Sequence, residues 1–85
     1  MPEITIYTTS SCPYCYSAKA LLKRKGAPFR EVDVTGDRQA RIALASKADG
    51  STTVPQIWIG AMHVGGSDDL HALDRAGKLD PMLSP

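Results

Sequence analysis

A β-branched run, Ile4-Thr5-Ile6-Tyr7-Thr8, leads through Thr9-Ser10-Ser11 into Cys12-Pro13-Tyr14-Cys15 and then into a helical pattern. No other stretch restricts the fold as much. A strand that turns directly into a helix opens a βα unit, and Pro13 suits the first helical position because the N–H it lacks is unpaired there anyway. Cys12 and Cys15 are the only two cysteines of the chain. At such a turn they face unpaired N–H groups and the positive end of a helix dipole, both of which favour a thiolate. The pair points to thiol–disulfide redox chemistry.

The rest of the pattern completes the unit. Residues 3–8 predict the first strand, and Pro13 to about Lys25 the first helix. That helix carries Ala18, Leu21 and Leu22 on one side and Lys19, Lys23 and Arg24 on the other. Gly26 predicts a left-handed cap, and Pro28 prevents continuation. Phe29–Val34 alternates apolar and polar residues, giving a second strand, parallel to the first through a right-handed crossover. Asp37 caps a second helix reaching about Ala48, with Ile42, Leu44 and Ala45 as its apolar positions.

Beyond the turn at Asp49-Gly50-Ser51-Thr52, Val54–Ile59 predicts a third strand with Pro55 near its start. Gly60-Ala61 turns it into a short antiparallel fourth strand, Met62–Val64. Gly65-Gly66 breaks the chain, and Ser67 caps a third helix with Asp68 and Asp69 in its first turn, Leu70 and Leu73 inward and Gly77 at its end. The order βαβ–α–ββ–α is that of an α/β chain with the thioredoxin fold. It predicts a four-stranded mixed β-sheet flanked by three helices, with residues 1–85 forming one domain.

Composition narrows the function. A net charge of +1 argues neither for nor against a nucleic-acid partner, but the cluster Lys19, Lys23, Arg24 and Lys25 lacks interleaved aromatic residues and reads as a solvated helix face, so no nucleic-acid partner is expected. No apolar stretch approaches a membrane span, and the N-terminus has no basic segment followed by a hydrophobic one. Two cysteines do not make an extracellular disulfide framework, so a cytoplasmic dithiol is expected. Half a zinc site is the competing reading of C-x-x-C, but there is no second such pair, and His63 and His71 lie far off in sequence.

Position separates the two thiols. Cys12 at the N-cap can accept from the N–H groups of Tyr14 and Cys15, whereas Cys15 sits one turn in, with fewer donors and more burial. Cys12 is therefore the expected low-pKa nucleophile and Cys15 the resolving thiol. Lowering a thiol pKa from about 8.5 to about 5 raises the thiolate population at pH 7 by roughly 30-fold. Intrinsic nucleophilicity falls by roughly 40-fold over the same shift. Attack breaks even, so the advantage lies in departure: Cys12 is a good leaving group when a second thiol attacks its mixed disulfide.

Cys12-Pro13-Tyr14-Cys15, Thr53-Val54-Pro55 and Gly65-Gly66-Ser67-Asp68 together resemble the glutaredoxin family over essentially the whole chain, and the runs Val54-Pro55-Gln56-Ile57 and Asp68-Asp69-Leu70 resemble the third type of bacterial glutaredoxin in particular. The resemblance implies a glutathione-dependent reductase of protein disulfides and of glutathione mixed disulfides. Glutathione would be a co-substrate, with no permanently bound cofactor or metal. It implies that Pro55 is cis, placing Thr53 and Val54 beside Cys12, where the Val54 backbone can bind a peptide-like main chain in β-fashion. It puts the γ-glutamyl end of glutathione at Gly66, Ser67 and Asp68, a helix N-terminus suited to an anion, and Tyr14 over the tripeptide.

The chain departs from the family at Thr9, where relatives commonly carry a lysine for the glycine carboxylate of glutathione. It departs again at Gly50-Ser51-Thr52, where a basic residue is often found. Arg41 is the expected replacement, with Arg38 second. Partners are then glutathione and disulfide-containing or glutathionylated proteins, acting on a monomer. The alternative is a dimer holding a [2Fe–2S] cluster, against which the rigid Pro13 turn argues.

Overall fold

The computed structural model describes residues 2–84. The elements run β1 (Ile4–Thr8), α1 (Pro13–Arg24), β2 (Arg30–Asp33), α2 (Arg38–Lys47), β3 (Gln56–Ile59), β4 (Met62–Gly65), α3 (Ser67–Arg75) and α4 (Leu79–Leu83). One sheet has the order β2-β1-β3-β4. β1 and β2 are parallel, and the pairs β1–β3 and β3–β4 are antiparallel. This is the mixed sheet of the thioredoxin fold.

The alternation of β1 and β3 divides the core between two faces. Ile4, Ile6, Ile57 and Ile59 join Ala18, Leu21 and Leu22 of α1, Leu70 of α3 and Leu79 and Leu83 of α4 in one cluster. On the other face Trp58 packs with Leu44 and Ala48 from the end of α2, flanked by Tyr7 and Val54. β3 is buried along its whole length because both faces are covered. Ile42, expected among the apolar positions of α2, is instead 56% exposed; only Leu44 of that helix is buried.

The helix ends follow local chemistry. α1 and α3 both close in a Schellman turn: Ala27 N–H donates to Leu22 O across Gly26 at φ +66°, and Lys78 N–H to Leu73 O across Gly77 at φ +70°. Asp37 caps α2 by accepting from Ala40 N–H at 2.9 Å. Of the α1 basic cluster, Lys19 pairs with Glu31 and Lys25 with both Asp74 and Asp80, so part of that face is tied down rather than merely solvated.

Three expectations need correction. β3 begins at Gln56, so Val54 and Pro55 precede the strand. The N-cap of α3 is Gly66, not Ser67: Gly66 is extended, its carbonyl accepts from Leu70 N–H at 3.1 Å, and Ser67 is already helical. A short fourth helix, α4, follows where no element was expected.

Candidate active site

The end of β1 and the start of α1 place the two cysteines. Cys12 is the N-cap, with extended φ −119° and ψ 102°, and Pro13 opens the helix. Cys15 N–H donates to Cys12 Sγ at 3.1 Å, the contact a capping oxygen would make. The two residues are joined as a disulfide with Cα atoms 5.2 Å apart. Cys12 is 7% exposed and Cys15 1%, so Cys15 is the deeper of the two. The loop before them is held from β2: Ser10 N–H donates to Thr35 Oγ1 at 2.8 Å, and Thr35 N–H to Asp33 Oδ1 at 2.8 Å. The Thr35 bonds keep the Asp33 carboxyl below its ordinary range.

Beside the cysteines, the Val54–Pro55 peptide is cis, as the resemblance implied. Cys12 Sγ lies 3.6 Å from Val54 O; in the disulfide there is no S–H to donate, so this is a contact, which the thiol form can turn into a weak hydrogen bond. From here a concave groove of about 470 Å³ runs between the α1 start, the Ser51–Gln56 segment and the α3 N-terminus. It brings together Tyr14, Thr53, Val54, Pro55, Gly66, Ser67 and Asp68, all expected from the sequence. Tyr14 is 65% exposed on its rim, while Ser67 is buried with its hydroxyl 3.3 Å from His71 Nδ1.

Arg41 is not brought into this groove. Its Nη2 donates to Thr52 O at 3.0 Å, and it lines a neighbouring hollow with Arg38 and Ile42. Thr52 separates that guanidinium from Thr53. Among the described residues no three His, Cys, Asp or Glu side chains converge as a metal site.

Five groove residues were not among the expected site residues: Ser51, Gln56, His63, Gly65 and Asp69. Asp69 is more than a first-turn helix acid: its Oδ2 accepts from Gly66 N–H at 3.0 Å and closes the start of α3. An acid three residues after an N-cap is the signal that would have found it. Gln56 and His63 bond each other at 2.7 Å. Their pairing crosses a register shift beside Ile57 and Trp58, which leaves no mark in the sequence pattern.

A disulfide at the N-cap of a helix, in contact with the cis-proline segment that walls a groove, on a thioredoxin-like sheet, defines a thiol–disulfide oxidoreductase. Residues 4–64 match the family model described as Glutaredoxin. The chain is 64% identical over 84 residues to a glutaredoxin of Pseudomonas aeruginosa, covering 99% of each. It is 52% identical over 83 residues to glutaredoxin 3 of Escherichia coli K12, covering 98% of this chain and 99% of that one. Among solved structures, a buckwheat glutaredoxin–glutathione complex superposes with a TM-score of 0.87 at 31% identity, covering 95% of this chain and 76% of that one. The chain belongs to the glutaredoxin family.

Proposed function

We propose that the protein is a glutathione-dependent reductase of protein disulfides and glutathione mixed disulfides, with Cys12 as nucleophile and Cys15 as resolving thiol. The observation that carries this reading is the contact of Cys12 Sγ, in the Cys12–Cys15 disulfide, with Val54 O, a residue that lines the adjoining groove. A tripeptide thiol lying along Thr53 and Val54 presents its sulfur to Cys12, and the N-terminus of α3 offers Ser67 and Asp68 N–H groups to its γ-glutamyl carboxylate. The buckwheat relative is a complex with glutathione, which supports the same ligand here. Arg41 commits one guanidinium N–H to Thr52 O, and its other donors stay available to a bound glycine carboxylate.

The steps balance without a further reactant. Cys12 thiolate attacks the glutathione sulfur of a mixed disulfide, the protein thiolate leaves, and Cys12–S–S–glutathione forms. A second glutathione thiolate attacks the glutathione sulfur of that adduct, Cys12 departs as thiolate, and oxidised glutathione is released. With a protein disulfide, Cys15 attacks Cys12 Sγ in the mixed disulfide, releasing the substrate's second thiol and leaving the Cys12–Cys15 bond. Two glutathione molecules then reduce that bond. Such recycling needs a reducing compartment, so the proposal includes a cytoplasmic setting, with a monomer as the acting unit.

The test is glutathione-coupled reduction by wild type, Cys12→Ser and Cys15→Ser. Cys12→Ser should fall to background on every substrate. Cys15→Ser should keep deglutathionylation and lose part of its protein-disulfide reduction. Full activity in Cys12→Ser would refute the assignment.

A further inference from the structure

Gln56 and His63 take no part in the steps above, yet they form a chain of hydrogen bonds ending on the backbone beside Cys12. Gln56 is 3% exposed. Its Nε2 lies 3.0 Å from Thr53 O, 3.0 Å from Ser51 Oγ and 3.3 Å from Thr53 Oγ1. A carbonyl oxygen only accepts, so the amide nitrogen must face Thr53, and this orientation of the amide is the one the network requires. Oε1 therefore points away from the loop, and His63 Nε2 stands 2.7 Å from it. An amide oxygen carries no proton, so the proton in that bond is on His63 Nε2.

The imidazole is itself held in place. It stacks on Trp58, with ring centroids 4.5 Å and planes 22° apart, across the Trp58–His63 register pair of β3 and β4. Lys47 Nζ lies 4.6 Å from the Trp58 ring centroid. A stacked histidine thus orients a buried amide, and the amide gathers Ser51 and Thr53 into one conformation.

We propose that His63 is a positioning residue for the substrate thiol: acting through Gln56, it sets the Thr53–Val54 edge in the geometry that binds a glutathione-like peptide. This rests on the reading that the edge binds glutathione. Without the imidazole, the Gln56 oxygen loses its partner while still buried, the amide can rotate, and the anchors on Ser51 and Thr53 loosen together. Binding of the peptide weakens in ground and transition states alike. The bond-making sulfur of Cys12, held by the α1 N-terminus, is unaffected.

The experiment uses glutathione-coupled reduction of a mixed disulfide. His63→Phe keeps a ring on Trp58 and removes the donor; His63→Gln restores a side-chain N–H; Gln56→Met removes the middle of the chain. His63 is exposed on the edge strand, so these changes at 63 leave the core intact. His63→Phe should raise the glutathione KM about 3- to 10-fold, the effect of one hydrogen bond to a buried acceptor. Its kcat and the rate of Cys12 alkylation by iodoacetamide should stay within about twofold of wild type, and His63→Gln should bring KM back toward wild type. In a Gln56→Met background, His63→Phe should add nothing.

A wild-type KM in His63→Phe would overturn the proposal. So would additive effects of His63→Phe and Gln56→Met, which would mean that His63 touches the ligand directly. A wild type whose rate does not depend on glutathione overturns the glutathione reading, and the proposed role with it; a saturable wild type with an unchanged His63→Phe overturns the role alone.

Discussion

At the scale of single residues, the site depends on which groups surround each titrating or reacting atom. The role proposed for Cys12 rests on one N–H, that of Cys15 at 3.1 Å, and on its place at the N-cap of α1. That donor stabilises the thiolate both before attack and on departure, and departure is the step a low pKa helps most. Beneath the cysteine loop, Glu31 is held by two donors: Thr8 Oγ1 at 2.7 Å and Lys19 Nζ at 3.0 Å. The Thr8 hydroxyl first, and Lys19 second, keep its carboxyl below the ordinary 4.5. A carboxyl depressed in the folded state contributes stability above its unfolded pKa and loses it as pH falls through the folded value. Because Glu31 is partly exposed, the contribution is about 0.5 kcal/mol after solvent screening. Glu31→Gln should therefore lower Tm by roughly 2–4 °C at pH 7, with the difference from wild type vanishing as pH is taken well below 4.5. Thermal melts of both proteins from pH 7 to pH 3 check this.

At the scale of elements, the start of α3 is where local sequence and final geometry diverge in detail. Ser67-Asp68-Asp69 looks like a capping serine followed by helix acids, but the chain turns one residue earlier, at Gly66. There the Asp69 carboxylate satisfies the Gly66 N–H at 3.0 Å and so leaves the Ser67 and Asp68 N–H groups to the groove. Asp69→Ala should cost about 1 kcal/mol in urea denaturation. Gly65→Ala should cost more, about 1–3 kcal/mol, since Gly65 sits at φ +113° and its added Cβ would collide with the Asp69 carboxylate. The strands, α1 and α2 were readable because each carries its own signal: alternation, a stripe of Ala18, Leu21 and Leu22, and caps at Asp37 and Gly26. α4 was not. Pro81 looks like a breaker, yet in a first turn its missing N–H would have had no intrahelical partner. Val54 and Pro55 were read into β3 because apolar residues adjoin the strand. Cys12, Cys15, Thr53, Val54 and Ser67 were readable as candidate-site residues from short motifs, whereas the Gln56–His63 bond depends on a register shift that only the folded sheet defines.

At the scale of the whole molecule, the sheet divides the work. One face, packed by α1, α3 and α4, is the larger core; the other, with Trp58 under the end of α2, steadies the Thr53–Gln56 wall of the groove. α4 belongs to the first face through Leu79, fully buried, and Lys25 ties α1 to both Asp74 and Asp80. Leu79→Ala should therefore cost about 2–4 kcal/mol, measured by urea denaturation, while the Cys12 alkylation rate stays at the wild-type value because α1 still presents the cap. The fold as a whole thus holds a single sulfur between a helix start and the Thr53–Val54 edge proposed to bind peptide. The most direct measurement is to incubate Cys15→Ser with oxidised glutathione and locate the adduct by peptide mass spectrometry. One glutathione should be found on Cys12, removable by reduced glutathione with release of the free thiol. No adduct on Cys12, or one that reduced glutathione does not remove, would refute a glutathione exchange at Cys12.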